Sequence, residues 1–244
     1  MTYCLGLHLD EGLVLLSDTR TNAGVDNVSV FSKMTVWEKP GDRVIILMTA
    51  GNLAVSQAVV NLLEEGLPGP DGEAETLLTV PTMFRAARLV GQAIREVYKA
   101  DGDSLKEHDA GFIASMLLAG QLKGRGMRLF QLYSAGNFIE TTEDTPFFQI
   151  GEHKYGKPIL DRGVNHKRTH LTDGIKLALI SMDSTLRSNL SVGMPLDLAV
   201  YRRDSLKLDV NRRIGEDDSY FGMIRQYWSQ ALRDASLGLP DPDW

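Results

Sequence analysis

The tightest constraint on this chain lies at its beginning, where a strand pattern opens at residue 3. Leu5, Leu7 and Leu9 alternate with Cys4, Gly6 and His8, the turn Asp10-Glu11-Gly12 follows, and Leu13-Val14-Leu15-Leu16 runs into Ser17-Asp18. Two such runs around a short glycine turn predict a hairpin, so the protein begins inside a sheet and residue 2 opens its first strand. Residues 28–37 alternate again, with Val28, Val30, Met34 and Val36 on one face and Phe31, Lys33 and Thr35 on the other, and 43–48 reads as a continuous apolar strand. At Thr49-Ala50-Gly51-Asn52 the period changes to that of a helix, carried by Leu53, Val55, Val59, Val60, Leu62 and Leu63 and ending at Gly66.

After a Pro/Gly-rich loop at 67–73, a second helix carries Phe84, Ala87, Val90, Ile94 and Val97 on one stripe. Strands at 111–119 and 127–133 are joined by a Gly-Arg-Gly turn, with short pieces near 137–140 and 147–150. A third helix covers about 173–189, a strand pair follows at 196–202 and 205–210, and a last helix of about 218–235 has an aromatic stripe of Tyr220, Met223, Ile224, Tyr227, Trp228 and Ala231. This order predicts an α+β, four-layer αββα sandwich: two mainly antiparallel sheets with helices on both outer faces. No repeat or linker divides the chain, so residues 1–244 read as one domain with 216–244 as a C-terminal helical extension.

Composition narrows the function. One cysteine, Cys4, excludes an internal disulfide and a Cys-based zinc cage, and the five histidines show no metal-ligand spacing, so no metal and no cofactor is expected. The N-terminus lacks a basic region and an apolar core, and no apolar run approaches the roughly 18 residues of a membrane span. A cytoplasmic protein without a membrane partner is the expectation. A net charge of −6, from 26 basic and 32 acidic residues, argues against a nucleic-acid partner, and Arg202-Arg203 and Arg212-Arg213 read as solvated turn ends.

Four features of the first 51 residues carry chemistry. Thr2 follows Met1, and a side chain that small permits removal of the initiator methionine. A threonine at a free N-terminus holds a hydroxyl nucleophile and an α-amine of pKa about 7.7–8.0 in one residue, so the amine can serve as its own general base. Asp18 closes the second strand, and the hairpin returns it to the side of Thr2. Lys33 reads alone as an edge residue facing solvent; buried beside Asp18, it would stay charged and lower the pKa of the threonine hydroxyl. Ala50-Gly51 stands between a strand and a helix, where free N–H groups can meet an oxyanion. Together these make an acyl-transfer set.

With these residues the chain resembles the proteasome β-type subunits, within the N-terminal-nucleophile hydrolases. The matching segments are Thr2, Gly12-Leu13-Val14-Leu15-Leu16-Ser17-Asp18-Thr19-Arg20, Ser32-Lys33 and Thr49-Ala50-Gly51, with Ser134-Ala135-Gly136-Asn137 and Phe148-Gln149-Ile150-Gly151-Glu152 fitting the central strands. Among its branches the bacterial one called Anbu is most similar. Ile150-Gly151-Glu152-His153-Lys154-Tyr155-Gly156-Lys157-Pro158, Ser181-Met182-Asp183-Ser184-Thr185, Asn189-Leu190-Ser191-Val192-Gly193 and the long last helix carry that likeness.

The resemblance implies a threonine-type peptidase or amide hydrolase with Thr2 as nucleophile, Asp18 and Lys33 as its tuning pair and Gly51 as oxyanion donor. It carries Asp183 and Ser191 over to the catalytic set, although the family spaces this pair by three residues and here Ser188, not Asp183, stands three before Ser191. Glu152 stands where the family places a serine that assists the threonine amine. Arg20, Asn22 and Thr49 fall on the substrate side, with Asn22 in place of a threonine that pairs with substrate backbone. The implied partners are a peptide or amide substrate and further copies of the chain in a ring or open spiral, with an unfoldase or activator left open. Exposure of Thr2 is expected to require only loss of Met1, with no propeptide to cleave. Two alternatives stand beside this reading: a structural ring- or spiral-forming subunit with little activity, and an amidase for a small non-polypeptide amide.

Overall fold

The computed structural model describes residues 2–23, 27–108 and 110–244, and the side chains of residues 22, 23, 27 and 28 lie outside the described set. The predicted opening hairpin forms as β1 (Tyr3–Leu9) and β2 (Gly12–Asp18). A small hairpin, β3 (Arg20–Ala23) and β4 (Asn27–Val30), precedes β5 (Met34–Lys39) and β6 (Arg43–Gly51). Then come α1 (Leu53–Glu65), the two-residue strands β7 (Leu67–Pro68) and β8 (Ala74–Glu75), and α2 (Met83–Glu107). The second half runs β9 (Ala114–Leu122), β10 (Arg128–Leu132), β11 (Phe138–Glu140), β12 (Phe147–Gly151), α3 (Lys157–Gly163), α4 (Leu171–Ser188), β13 (Leu196–Arg202), β14 (Leu208–Ile214) and α5 (Ser219–Leu237).

Two five-stranded antiparallel sheets result, one in the order β12-β1-β2-β13-β14 and the other β11-β10-β9-β6-β5. The period-two alternation of each central strand divides its side chains between two apolar layers. Leu5, Leu7, Leu9, Val14 and Leu16 pack with Leu160 of α3, Ala178 and Met182 of α4 and Phe221 and Ile224 of α5. Ile45, Leu47, Met116 and Leu118 face Val55, Val59, Val90 and Ile94 on α1 and α2. Between the sheets, Cys4, Leu13 and Leu15 meet Val44, Ile46, Met48 and Leu117. A strand covered on both faces needs an unbroken apolar run, which is why 13–16 and 44–48 show one. The chain is therefore a four-layer αββα sandwich.

The strand expected over 28–37 is two strands. β4 ends at Val30 and β5 begins at Met34, with β4 pairing with β3 and β5 with β6. The break leaves Ser32-Lys33 outside any ladder, and this frees the lysine to turn inward. The short α3 was not anticipated, because seven residues with Pro158 in the first turn show too little helical period. The second tail strand sits at 208–214, beyond the expected 205–210.

Candidate active site

Strand ends from both sheets converge at one edge of the sandwich. Thr2 precedes β1, Asp18 closes β2, and β6 ends at Gly51, where α1 begins. Thr2, Lys33, Thr49 and Gly51 line one cavity of about 530 Å³, closed from other directions by Thr21, Asn52, Ile113 and Gly151. Thr2 is 9% exposed.

Asp18 is fully buried and its carboxylate is completely engaged. Oδ1 accepts from the Tyr3 N–H at 3.0 Å and from Lys33 Nζ at 2.6 Å, and Oδ2 accepts from the Gly193 N–H at 3.2 Å. Lys33, 6% exposed, also donates to the Arg20 carbonyl at 2.6 Å. Burial pushes the Asp18 carboxyl up from the ordinary carboxylate value, and the Lys33 ammonium and the two backbone N–H groups oppose that rise. The lysine is thus held between a strand end and a backbone oxygen, against the cavity that contains Thr2.

Two glycines set the backbone around the threonine. Gly51 has φ +119°, and a Cβ there would overlap the Ile113 carbonyl oxygen. Gly151 has φ +80°, and its Cβ would overlap the Thr2 carbonyl oxygen. Only glycine fits either place. β12 therefore passes close beside Thr2, and the Glu152 N–H donates to the Thr2 carbonyl at 2.7 Å. Asn52 caps α1, its side chain accepting from the Ala54 and Val55 N–H groups.

Among the described residues, the remaining predicted ones do not line the cavity with their side chains. Asp183, expected in the catalytic set, is 1% exposed and neither solvent-facing nor on the cavity: Oδ2 accepts from Arg187 at 3.0 Å and Oδ1 from Arg225 of α5 at 2.7 Å. Its carboxylate ties α4 to α5. The Arg20 guanidinium, expected at substrate, donates to the Leu190 carbonyl at 2.9 Å and lies against Gly193. Ser191 belongs to the same 189–195 loop, where its N–H donates to Asn189 Oδ1 at 2.9 Å. Glu152 contributes its backbone to Thr2, while its buried carboxylate accepts from Asn189 Nδ2 at 3.1 Å. The Asn22 side chain lies outside the described residues.

The sequence missed the 189–195 loop as a unit. It supplies the Gly193 N–H to Asp18, the Leu190 carbonyl to Arg20, Asn189 to Glu152, and the Pro195 carbonyl to the Thr19 hydroxyl at 2.6 Å. Thr21 was also missed. Its Oγ1 is buried on the cavity without a hydrogen-bond partner among the described residues, and one unpaired hydroxyl in a short strand leaves no sequence signal. Among the described residues no group of three His, Cys, Asp or Glu is arranged to hold a metal ion, and no helix is long and apolar enough to cross a membrane.

A threonine opening the first strand of a four-layer αββα sandwich, beside a buried Lys–Asp pair, is the arrangement of the proteasome-like N-terminal-nucleophile hydrolases. No protein-family model and no curated protein matches the chain, but solved structures do. An Anbu (Gly-1) mutant from Hyphomicrobium sp. strain MC1 is 50% identical over 100% of both chains with a TM-score of 0.91. Anbu (ancestral beta-subunit) from Yersinia bercovieri is 47% identical over 99% of both, again at 0.91. A helical assembly of the Anbu complex from Pseudomonas aeruginosa is 46% identical over 98% of both, also at 0.91. At this identity over full length, the chain belongs to the Anbu family of proteasome β-subunit-like proteins.

Proposed function

We propose that the chain is a threonine-type peptidase or amide hydrolase whose nucleophile is Thr2 once Met1 has been removed. The observation that carries this reading is the shared cavity: Thr2 lines it together with Lys33, and Lys33 is fixed by the buried Asp18 carboxylate at 2.6 Å. In this reading the Thr2 hydroxyl attacks the substrate carbonyl carbon and its proton passes to the Thr2 α-amine. The Lys33 ammonium stabilises the oxygen as it loses that proton. Negative charge on the carbonyl oxygen meets the Gly51 N–H. The scissile C–N bond then breaks, the leaving amine takes the proton, and water hydrolyses the acyl ester. Glu152 acts here through its backbone, holding the Thr2 carbonyl, and Thr21 and Thr49 offer hydroxyls to the bound chain.

The same reading has the chain associate with its own copies, as the helical assembly of the Pseudomonas aeruginosa relative suggests. A scaffold without activity is the second reading, and the exposed far half of α5 fits self-association under both. Turnover of short peptide amides and of small amides by the wild type, Thr2→Ala and Thr2→Ser separates these cases. Hydrolysis lost in Thr2→Ala and retained in Thr2→Ser is the expected result. Equal hydrolysis by wild type and Thr2→Ala would remove Thr2 as nucleophile, and turnover of small amides alone would select the amidase.

A further inference from the structure

Helix α5 leaves the body of the protein partway along its length. Phe221 and Ile224 are its buried residues, whereas every residue from 231 to 244 is exposed. The exposed set includes Leu232, Leu237, Leu239 and a wholly exposed Trp244. Single exposed apolar residues are ordinary; four on one protruding end mark a surface that meets another molecule. The tail 238–244 reads Gly-Leu-Pro-Asp-Pro-Asp-Trp, with two carboxylates, no base, and two prolines that favour an extended form.

A groove of about 720 Å³ at the root of the same helix has the complementary chemistry. Arg187 of α4 and Arg225 and Arg233 of α5 line it, with Tyr227 between them, 75% exposed. Asp183 is shared by Arg187 and Arg225, and Arg233 donates to Gln230 Oε1. Three guanidiniums thus line the groove while one buried carboxylate, shared by two of them, offsets a single charge, and the tail carries two aspartates. Asp234, one turn away, bonds to Gln230 and does not line the groove.

We propose that the tail 238–244 of one copy docks in the α4–α5 arginine groove of a second copy. Asp241 and Asp243 pair with the guanidiniums, and Trp244 packs on Tyr227. The inference rests on the self-association proposed above and names its surfaces. The occupant is a second copy because the end of α5 projects away from its own core, so its apolar residues are covered only by another molecule. Tail-into-groove contact joins two different surfaces, and its repetition gives a ring when the rotation closes and a helix when it does not.

Complementary charge reversal tests it, with assembly size followed by light scattering across a concentration series. Arg233→Glu alone and Asp241→Lys/Asp243→Lys alone each raise the concentration needed for assembly about tenfold or more. Mixing the two variants restores assembly, because the lysines of one variant's tail meet Glu at position 233 in the other's groove, while the unchanged tail of the second meets the unchanged groove of the first. Their unchanged thermal unfolding shows that folding is intact. A tail that occupies its own groove is not rescued by mixing, only by combining the changes in one chain, and that result overturns the proposal. Full assembly of both variants beside an assembled wild type also overturns it, whereas a monomeric wild type overturns the self-association reading on which it rests.

Discussion

At the scale of single residues, the site depends on a buried charge pair. Lys33→Met leaves Asp18 buried with two backbone donors and no cation, so we expect a loss of about 3 kcal/mol in urea unfolding at neutral pH, together with loss of turnover. Burial already raises the Asp18 carboxyl, and removal of the ammonium raises it further. The folded state then holds that proton longer than the unfolded state does, so the variant loses stability as pH rises above about 4. His8 gives the opposite slope. Burial, followed by neighbouring His166, pushes its pKa down to about 4, and its Nδ1 is 2.9 Å from the Thr141 hydroxyl. The unfolded chain takes up the proton first, so wild-type stability falls as pH drops from about 6.5 to about 4. Unfolding curves of His8→Gln should lack about 3 kcal/mol of that loss; parallel curves for both proteins would show that His8 does not contribute.

At the scale of elements, local and long-range information part company. The opening hairpin and the strand-glycine-helix junction were legible because alternation, a glycine turn and a change of period are properties of neighbouring residues. Asp18 could therefore be placed beside Thr2 from order alone, whereas Lys33, which read alone as an edge residue facing solvent, was carried there by the family resemblance. The partners of Asp183 and Arg20 could not be read because they come from distant segments: Arg225 stands 42 residues after Asp183, and Leu190 stands 170 residues after Arg20. No periodicity records such contacts. The structure makes Asp183 a tie between α4 and α5, so Asp183→Asn should speed protease cleavage within 219–237 while labelling of Thr2 by a threonine-directed β-lactone keeps its rate. Slower labelling with α5 still protected would return Asp183 to the catalytic set. Asn52→Ala removes the α1 cap and should cost about 1 kcal/mol in thermal unfolding.

At the scale of the whole molecule, the sandwich places its proposed nucleophile at one edge and its unpartnered helix end at another surface, so chemistry and assembly can be separated by mutation. The two five-stranded sheets hold the cavity through β1, β2 and β6, whose residues are buried almost without interruption. The α5 tail shares none of those cavity residues. The central claim is that Thr2 becomes an N-terminal nucleophile, and intact mass of the purified protein before and after treatment with a β-lactone tests it most directly. The account predicts a chain lighter by Met1 that gains one adduct per copy, located on Thr2 by fragmentation and absent in Lys33→Met. A chain that retains Met1, or a Met-free chain that gains no adduct on Thr2, would contradict it.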